Sequence, residues 1–247
     1  MRLNLILAIK DTVWNDEATP CAVRQVRRQP YTFMPFVLFC TCLVCFPGCR
    51  RSSDPPPEIL QEAIRSGDTA QLETWLEDNP KLVEKPMDSG ATPLHVAAEA
   101  NQVKCIELFL ARGAKPDATD SRNRTPLQYA AAWGQTESAA FLLDRGARLM
   151  HRDRDGLQAI HLAVQNAQDQ VLSLLIARGA DVNARLGEGT TPLHSAVFLH
   201  FDEVARVLVE AGADPVAKKN DGITPLELAK AKGRTNIVEL LESHAAK

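Results

Sequence analysis

Thr92, Thr125, Thr191 and Thr224 each precede a proline, Gln158 holds the one slot between them that lacks threonine, and every step in this series is 33 residues with no insertion. A fixed period of this length narrows the possible folds sharply. Each copy is one supersecondary unit too small to bury its own apolar face, so the copies must stack and share a core. The architecture this predicts is a scaffold that binds something, and the period does not say what is bound.

Within the period each slot has a physical task. Threonine before proline is an N-cap followed by the one helical position that tolerates a missing N–H, so Thr92-Pro93, Thr125-Pro126, Thr191-Pro192 and Thr224-Pro225 start helices. Gln158-Ala159 replaces that pair in one unit and predicts a less well capped start there. Leu94, Leu127, Ile160, Leu193 and Leu226 come next as core residues. Ala97, Ala130, Ala163, Ala196 and Ala229 follow and let neighbouring helices approach. A second helix ends in an apolar pair and then Gly113, Gly146, Gly179 or Gly212, where a left-handed residue stops it. The short stretch before the next Thr-Pro carries Asp155-Gly156, Glu188-Gly189 or Asp221-Gly222 and predicts a β-turn finger.

Charge and cysteines exclude several classes. Lys and Arg total 28 against 31 Asp and Glu, a net charge of −3, so no global basic field holds nucleic acid by counterion release. Only Cys105 lies in the repeats, whereas Cys21, Cys40, Cys42, Cys45 and Cys49 lie in the first fifth of the chain, so stacking and not disulfides must stabilise the fold. Aromatic residues make up 5% of the chain, which suits helices packed through small residues and predicts few strands.

The N-terminal fifth reads as a targeting segment. Arg24, Arg27 and Arg28 precede a charge-free run from Phe33 to Phe46, too short to span a bilayer at ~20 residues but matching the core of an export signal. Phe46-Pro47-Gly48-Cys49 resembles the processing site of bacterial lipoprotein signal peptides, although that family usually has leucine and a small residue where Phe46 and Pro47 stand. The resemblance implies lipidation of Cys49. Cleavage without lipid, an uncleaved signal-anchor, and a later start codon or cytosolic tail are the alternatives. The spacing of Cys40, Cys42, Cys45 and Cys49 matches iron–sulfur ligation only loosely, and a twin-arginine export signal at Arg27-Arg28 is a similarly weak reading. The polar, proline-rich stretch Ser52 to Pro57 predicts an extended tether.

The repeated T-P-L-H-x-A pattern resembles ankyrin repeats. That resemblance implies an all-α ankyrin-repeat solenoid of helix-turn-helix units with short β-turn fingers. Its expected organisation is a targeting segment over 1–48, an anchor site and tether over 49–57, and a divergent capping helix pair over 58–87. Five repeats follow over 88–120, 121–153, 154–186, 187–219 and 220–247. Arg234, Asn236, Glu239 and Glu242 give the last unit the solvated face of a terminal cap.

Such a protein typically binds a partner through its finger tips and the ends of its first helices. The copies disagree there. Trp133, Phe198 and Leu199 replace small or polar residues, and Phe201 stands where other units have Gln102, Gln135, Gln168 and Arg234. They are candidate anchors of an interface, against the alternative that the rings fold back between units. Arg122 and Arg124, with Arg152 and Arg154, form a candidate basic patch, against the alternative that Asp120, Asp153 and Asp155 neutralise it. His95, His161 and His194 occupy one slot of the repeat and read as hydrogen-bonding groups of the turn. Cys105 reads as core, with no base beside it, so an enzyme using Cys105 or a redox protein using the N-terminal cysteines is the least supported class. The expectation is a monomeric, non-catalytic protein without cofactor, small-molecule substrate or nucleic acid. It would bind another protein and be held to the outer side of a bacterial membrane, with a cytosolic or host-directed location as the alternative.

Overall fold

The computed structural model describes residues 54–245. Cys49 and the apolar run before it lie outside the described residues. The chain forms α1 (Pro57–Ser66) and α2 (Thr69–Asp78), a 3-10 turn over Pro80–Glu84, then five helix pairs. These are α3 (Pro93–Glu99) with α4 (Val103–Ala111), α5 (Pro126–Trp133) with α6 (Thr136–Asp144), and α7 (Ala159–Gln165) with α8 (Asp169–Ala177). Then come α9 (Pro192–Leu199) with α10 (Asp202–Glu210) and α11 (Pro225–Ala231) with α12 (Thr235–Ala245). Among the described residues there is no strand, and no helix is long and apolar enough to cross a membrane. The all-α repeat fold expected from the sequence is the fold observed.

First helices pack on first helices in one layer and second helices on second helices in another, with α1 and α2 covering the first repeat. The alanine column explains the close approach: Ala97, Ala130, Ala163, Ala196 and Ala229 are all fully buried. Leu94, Leu127, Ile160 and Leu193 are buried beside them, whereas Leu226 of the fifth repeat is only partly covered. Asn79 does more than end α2. Its side chain accepts the Lys81 N–H at 3.1 Å and so caps the turn that follows.

The tether is shorter than its composition suggests. Pro57 is the first residue of α1, Pro55 is buried, and Asp54 is bound by the Asn79 amide and by Lys85 Nζ at 2.9 Å. The Asn79 hydrogen bond, with that of Lys85, holds the Asp54 carboxyl below its ordinary range. This end of the proline-rich stretch belongs to the capping unit.

Each first helix starts with a reciprocal cap. Thr92, Gln158 and Thr191 donate their N–H to Nδ1 of His95, His161 and His194 at 3.1, 3.1 and 3.2 Å, and Thr125 and Thr224 donate theirs to Gln128 and Glu227. The return bond from helix N–H to cap hydroxyl forms at Thr125, Thr191 and Thr224. At Gln158 and Thr92 the return contact is present but falls short of a hydrogen bond, so these two starts are the less well capped, as the sequence predicts for Gln158.

Between the two helices of each unit a left-handed residue recurs, at Asn101, Gly134, Ala167, His200 and Gly233, with φ of 56°, 75°, 54°, 65° and 67°. Asn101 turns this position to account. Its Oδ1 accepts both the N–H and the hydroxyl of Ser138 in the next repeat, at 3.1 and 2.9 Å.

Candidate protein-binding surface

The fingers are hairpin turns closed by a backbone bond at every repeat, from Met87 N–H to Ala91 O, Asp120 to Arg124, Asp153 to Leu157, Leu186 to Thr190 and Lys219 to Ile223. Neighbouring fingers are laced together by Ser121 N–H to Ser89 O, Arg154 to Arg122 and Asn220 to Glu188. The histidine slot joins each helix start to the next finger. His95 Nε2 meets Arg124 O at 2.9 Å, Gln128 Nε2 meets Leu157 O at 2.7 Å, and His194 Nε2 meets Ile223 O at 3.1 Å. With Nδ1 accepting and Nε2–H donating, each ring is a neutral imidazole engaged at both nitrogens. Burial lowers the pKa of His95, His161 and His194, which keeps the rings neutral. These histidines are fully used in holding the turn.

The fourth finger breaks the pattern. Asp120 and Asp153 each take two finger N–H groups on one carboxylate oxygen, whereas Met87, Leu186 and Lys219 hold that slot in the other fingers. Gly187 N–H makes no bond to Asp155 O, and His161 Nε2 reaches Ala184 O at 3.1 Å, six residues short of the position its counterparts use. Two repeated ties are thus absent or moved at one joint.

Across the finger-facing surface the candidate residues separate into exposed and engaged groups. Trp133, Phe198 and Leu199 are 60, 56 and 36% exposed, at the last turns of α5 and α9. Lys232 Nζ lies 4.6 Å from the Phe198 ring centroid. Phe201 is half-buried and packs against the core, in the slot where Gln102 and Gln135 donate to Arg65 O and Glu99 O of the preceding units. Arg124 is engaged with its own finger. It pairs with the buried Asp120 at 2.8 Å and lies over Tyr129, whose hydroxyl also donates to Asp120 at 2.9 Å. Burial opposes the Asp120 charge, but bonds from Arg124, Tyr129 and Arg122 N–H outweigh it and hold the carboxyl low; Tyr129 is pushed up to about 12 by burial and then by Asp120. Arg122 stays exposed, and among the described residues it makes no ion pair.

The structure adds a member that sequence reasoning missed. Ile223, 40% exposed at the end of the fifth finger, faces the same opening as Phe198 and Leu199. These three and Leu228 line a groove of about 680 Å³, with Gln165, Ser195 and Lys219 among its polar residues. The signal for Ile223 lay in the slot before Thr-Pro, where the copies read Ala91, Arg124, Leu157, Thr190 and Ile223. Cys105, by contrast, is fully buried, with its thiol pushed up to about 11 by burial and then by Asp68, so it stays protonated and unreactive at neutral pH.

Comparison with known proteins agrees with this geometry. A human receptor-interacting serine/threonine-protein kinase 4 is 38% identical over 71 residues, which is 29% of this chain and 8% of the kinase. The mouse protein of the same name is 37% identical over 70 residues, 28% of this chain and 9% of the kinase. The chain therefore matches less than a tenth of the length of either relative. A family model of ankyrin repeats in three copies matches residues 60–153 and 160–247, most of the chain. Ankyrin repeats are protein–protein interaction modules, and the stacked helix pairs, laced fingers and in-phase capping boxes described above are of that kind: the chain belongs to the ankyrin-repeat family.

Proposed function

We propose that this chain is a non-catalytic scaffold that captures another protein on the finger-facing surface and is tethered to a bacterial cell-envelope membrane through lipid on Cys49. The observation that carries the binding half is the exposure of Trp133, Phe198, Leu199 and Ile223 on one face, at slots where the copies disagree. Large apolar groups gathered in the open around a groove are the usual anchors of an interface. Arg122 extends the surface at the finger tips.

Two experiments separate the halves. Phe198→Ala with Trp133→Ala should weaken partner capture while leaving unfolding within ~0.5 kcal/mol of the parent, because both rings are largely in water. A large stability loss would make them packing residues. Cys49→Ala should abolish fatty-acid labelling and release the protein from membranes. Labelling that survives the substitution would remove the anchor and leave the fold and binding face untouched.

A further inference from the structure

The groove beside Phe198 has a definite chemistry. Its apolar floor is Phe198, Leu199, Ile223 and Leu228, and no carboxylate is among the residues that line it. Cations stand on both sides. Lys219 lines it from the fifth finger, and Lys232 reaches over the Phe198 ring from the end of α11. Arg185 and Lys218 continue the positive side along the fourth and fifth fingers, with the Arg185 guanidinium donating to Lys218 O. The opposing charges are Asp221, paired with Lys219 at 3.2 Å, Glu227 in the first turn of α11, which faces Lys218, and Glu188 at a finger tip, none of them among the residues that line the groove. This concentration of positive charge sits on a chain whose net charge is −3, so it is local and not a property of the surface as a whole.

We infer that the groove takes an extended, acidic segment of a partner protein that places one large apolar side chain on Phe198 and carboxylates against Lys219 and Lys232. The inference rests on the reading that this face captures a protein, and it names that protein's chemistry. The apolar side chain would displace water from the exposed ring, and the flanking carboxylates would meet cations that the fold leaves only partly compensated. A basic segment would meet like charges at both ends of the same groove, which is how such a site rejects a wrong partner.

The test uses the full chain and short fluorescent peptides of three kinds: a central Leu or Phe flanked by Asp and Glu, the same peptide with Asn and Gln in place of the acids, and the same with Lys. Anisotropy titration should show saturable binding of the acidic peptide alone, weakening at least ~tenfold between ~50 and ~300 mM salt. Phe198→Ala, Lys219→Glu and Lys232→Glu should each weaken it by ~tenfold or more. Lys104→Glu, an equal charge reversal at an exposed position of α4 in the other helix layer, should not, and thermal unfolding of each variant monitors the fold. Equal binding of the neutral peptide, lost in Phe198→Ala but indifferent to the two lysines, overturns the acidic-partner inference and leaves protein capture standing. No binding of any peptide also overturns it, and partner capture by the parent against Phe198→Ala then decides the broader reading separately.

Discussion

Ala167 and Gly134 occupy the same slot of successive repeats, and exchanging their side chains should move stability in opposite directions. Ala167 has φ of 54° and is exposed, so its methyl group packs little and costs the left-handed penalty of about 1–2 kcal/mol. Glycine removes that penalty and returns about 0.4–1 kcal/mol of it through the greater freedom of the unfolded chain. Ala167→Gly should therefore stabilise by ~0.5–1 kcal/mol, or about 2–4 °C per kcal/mol in a domain of this size. Gly134→Ala does the reverse and adds a collision. At φ of 75° its Cβ would lie 2.1 Å from Gln168 Oε1, so the glutamine must swing away as well. A loss of ~1–2 kcal/mol is expected. Urea unfolding followed by circular dichroism reads both. Shifts of the same sign, or a destabilised Ala167→Gly, would refute the claim that this slot is governed by its backbone conformation.

Three further outcomes are expected. Lowering the pH should weaken the stack. His95, His161 and His194 have folded pKa values depressed from 6.5, so their contribution is whole above that pH and is lost as pH falls through the folded-state values. Each histidine can forfeit at most ~2 kcal/mol between pH 6.5 and 5, and replacing all three with glutamine, as Gln128 does naturally, should flatten urea midpoints over that range. Asn101→Gly keeps the left-handed backbone but strips Ser138 of its partner, and should cost ~1–3 kcal/mol in thermal unfolding; an unchanged midpoint would show that the inter-repeat cap contributes nothing. In native-state hydrogen exchange the Gly187 amide, which makes no inter-finger bond, should exchange at least ~tenfold faster than its counterparts at Ser121, Arg154 and Asn220, and equal protection would count against a loosened fourth finger.

Most of the fold was legible because each repeat states it again. Thr-Pro, the alanine column and the glycine after the second helix are local signals with local causes, and five copies in phase leave little else for the chain to form. The bonds between repeats were less visible. Asn101 capping Ser138, or His161 reaching Ala184 O, depends on how far one unit is displaced over the next, and no single repeat contains that distance. The candidate surface divided for the same reason. Phe198 and Phe201 are three residues apart and equally aromatic, yet one ends a first helix in the open and the other starts a second helix against the core. Arg124 differs from Arg122 because Asp120 and Tyr129 lie within its reach, and Cys105 is removed from chemistry by depth alone.

Asp54 has a mechanical consequence. Because Asn79 and Lys85 clamp it, the reach from the proposed lipid on Cys49 is counted to Asp54 and not to the start of α1. Five peptide steps reach at most ~17 Å when fully extended, less than the thickness of the hydrocarbon layer itself. A protein held on so short a leash would patrol only the first layer of space above the lipid headgroups. Its partner would have to come to that layer, as a membrane protein's juxtamembrane segment or a soluble protein already at the surface. Lengthening the leash with glycine and serine ahead of Asp54 would widen the reach without touching the binding face.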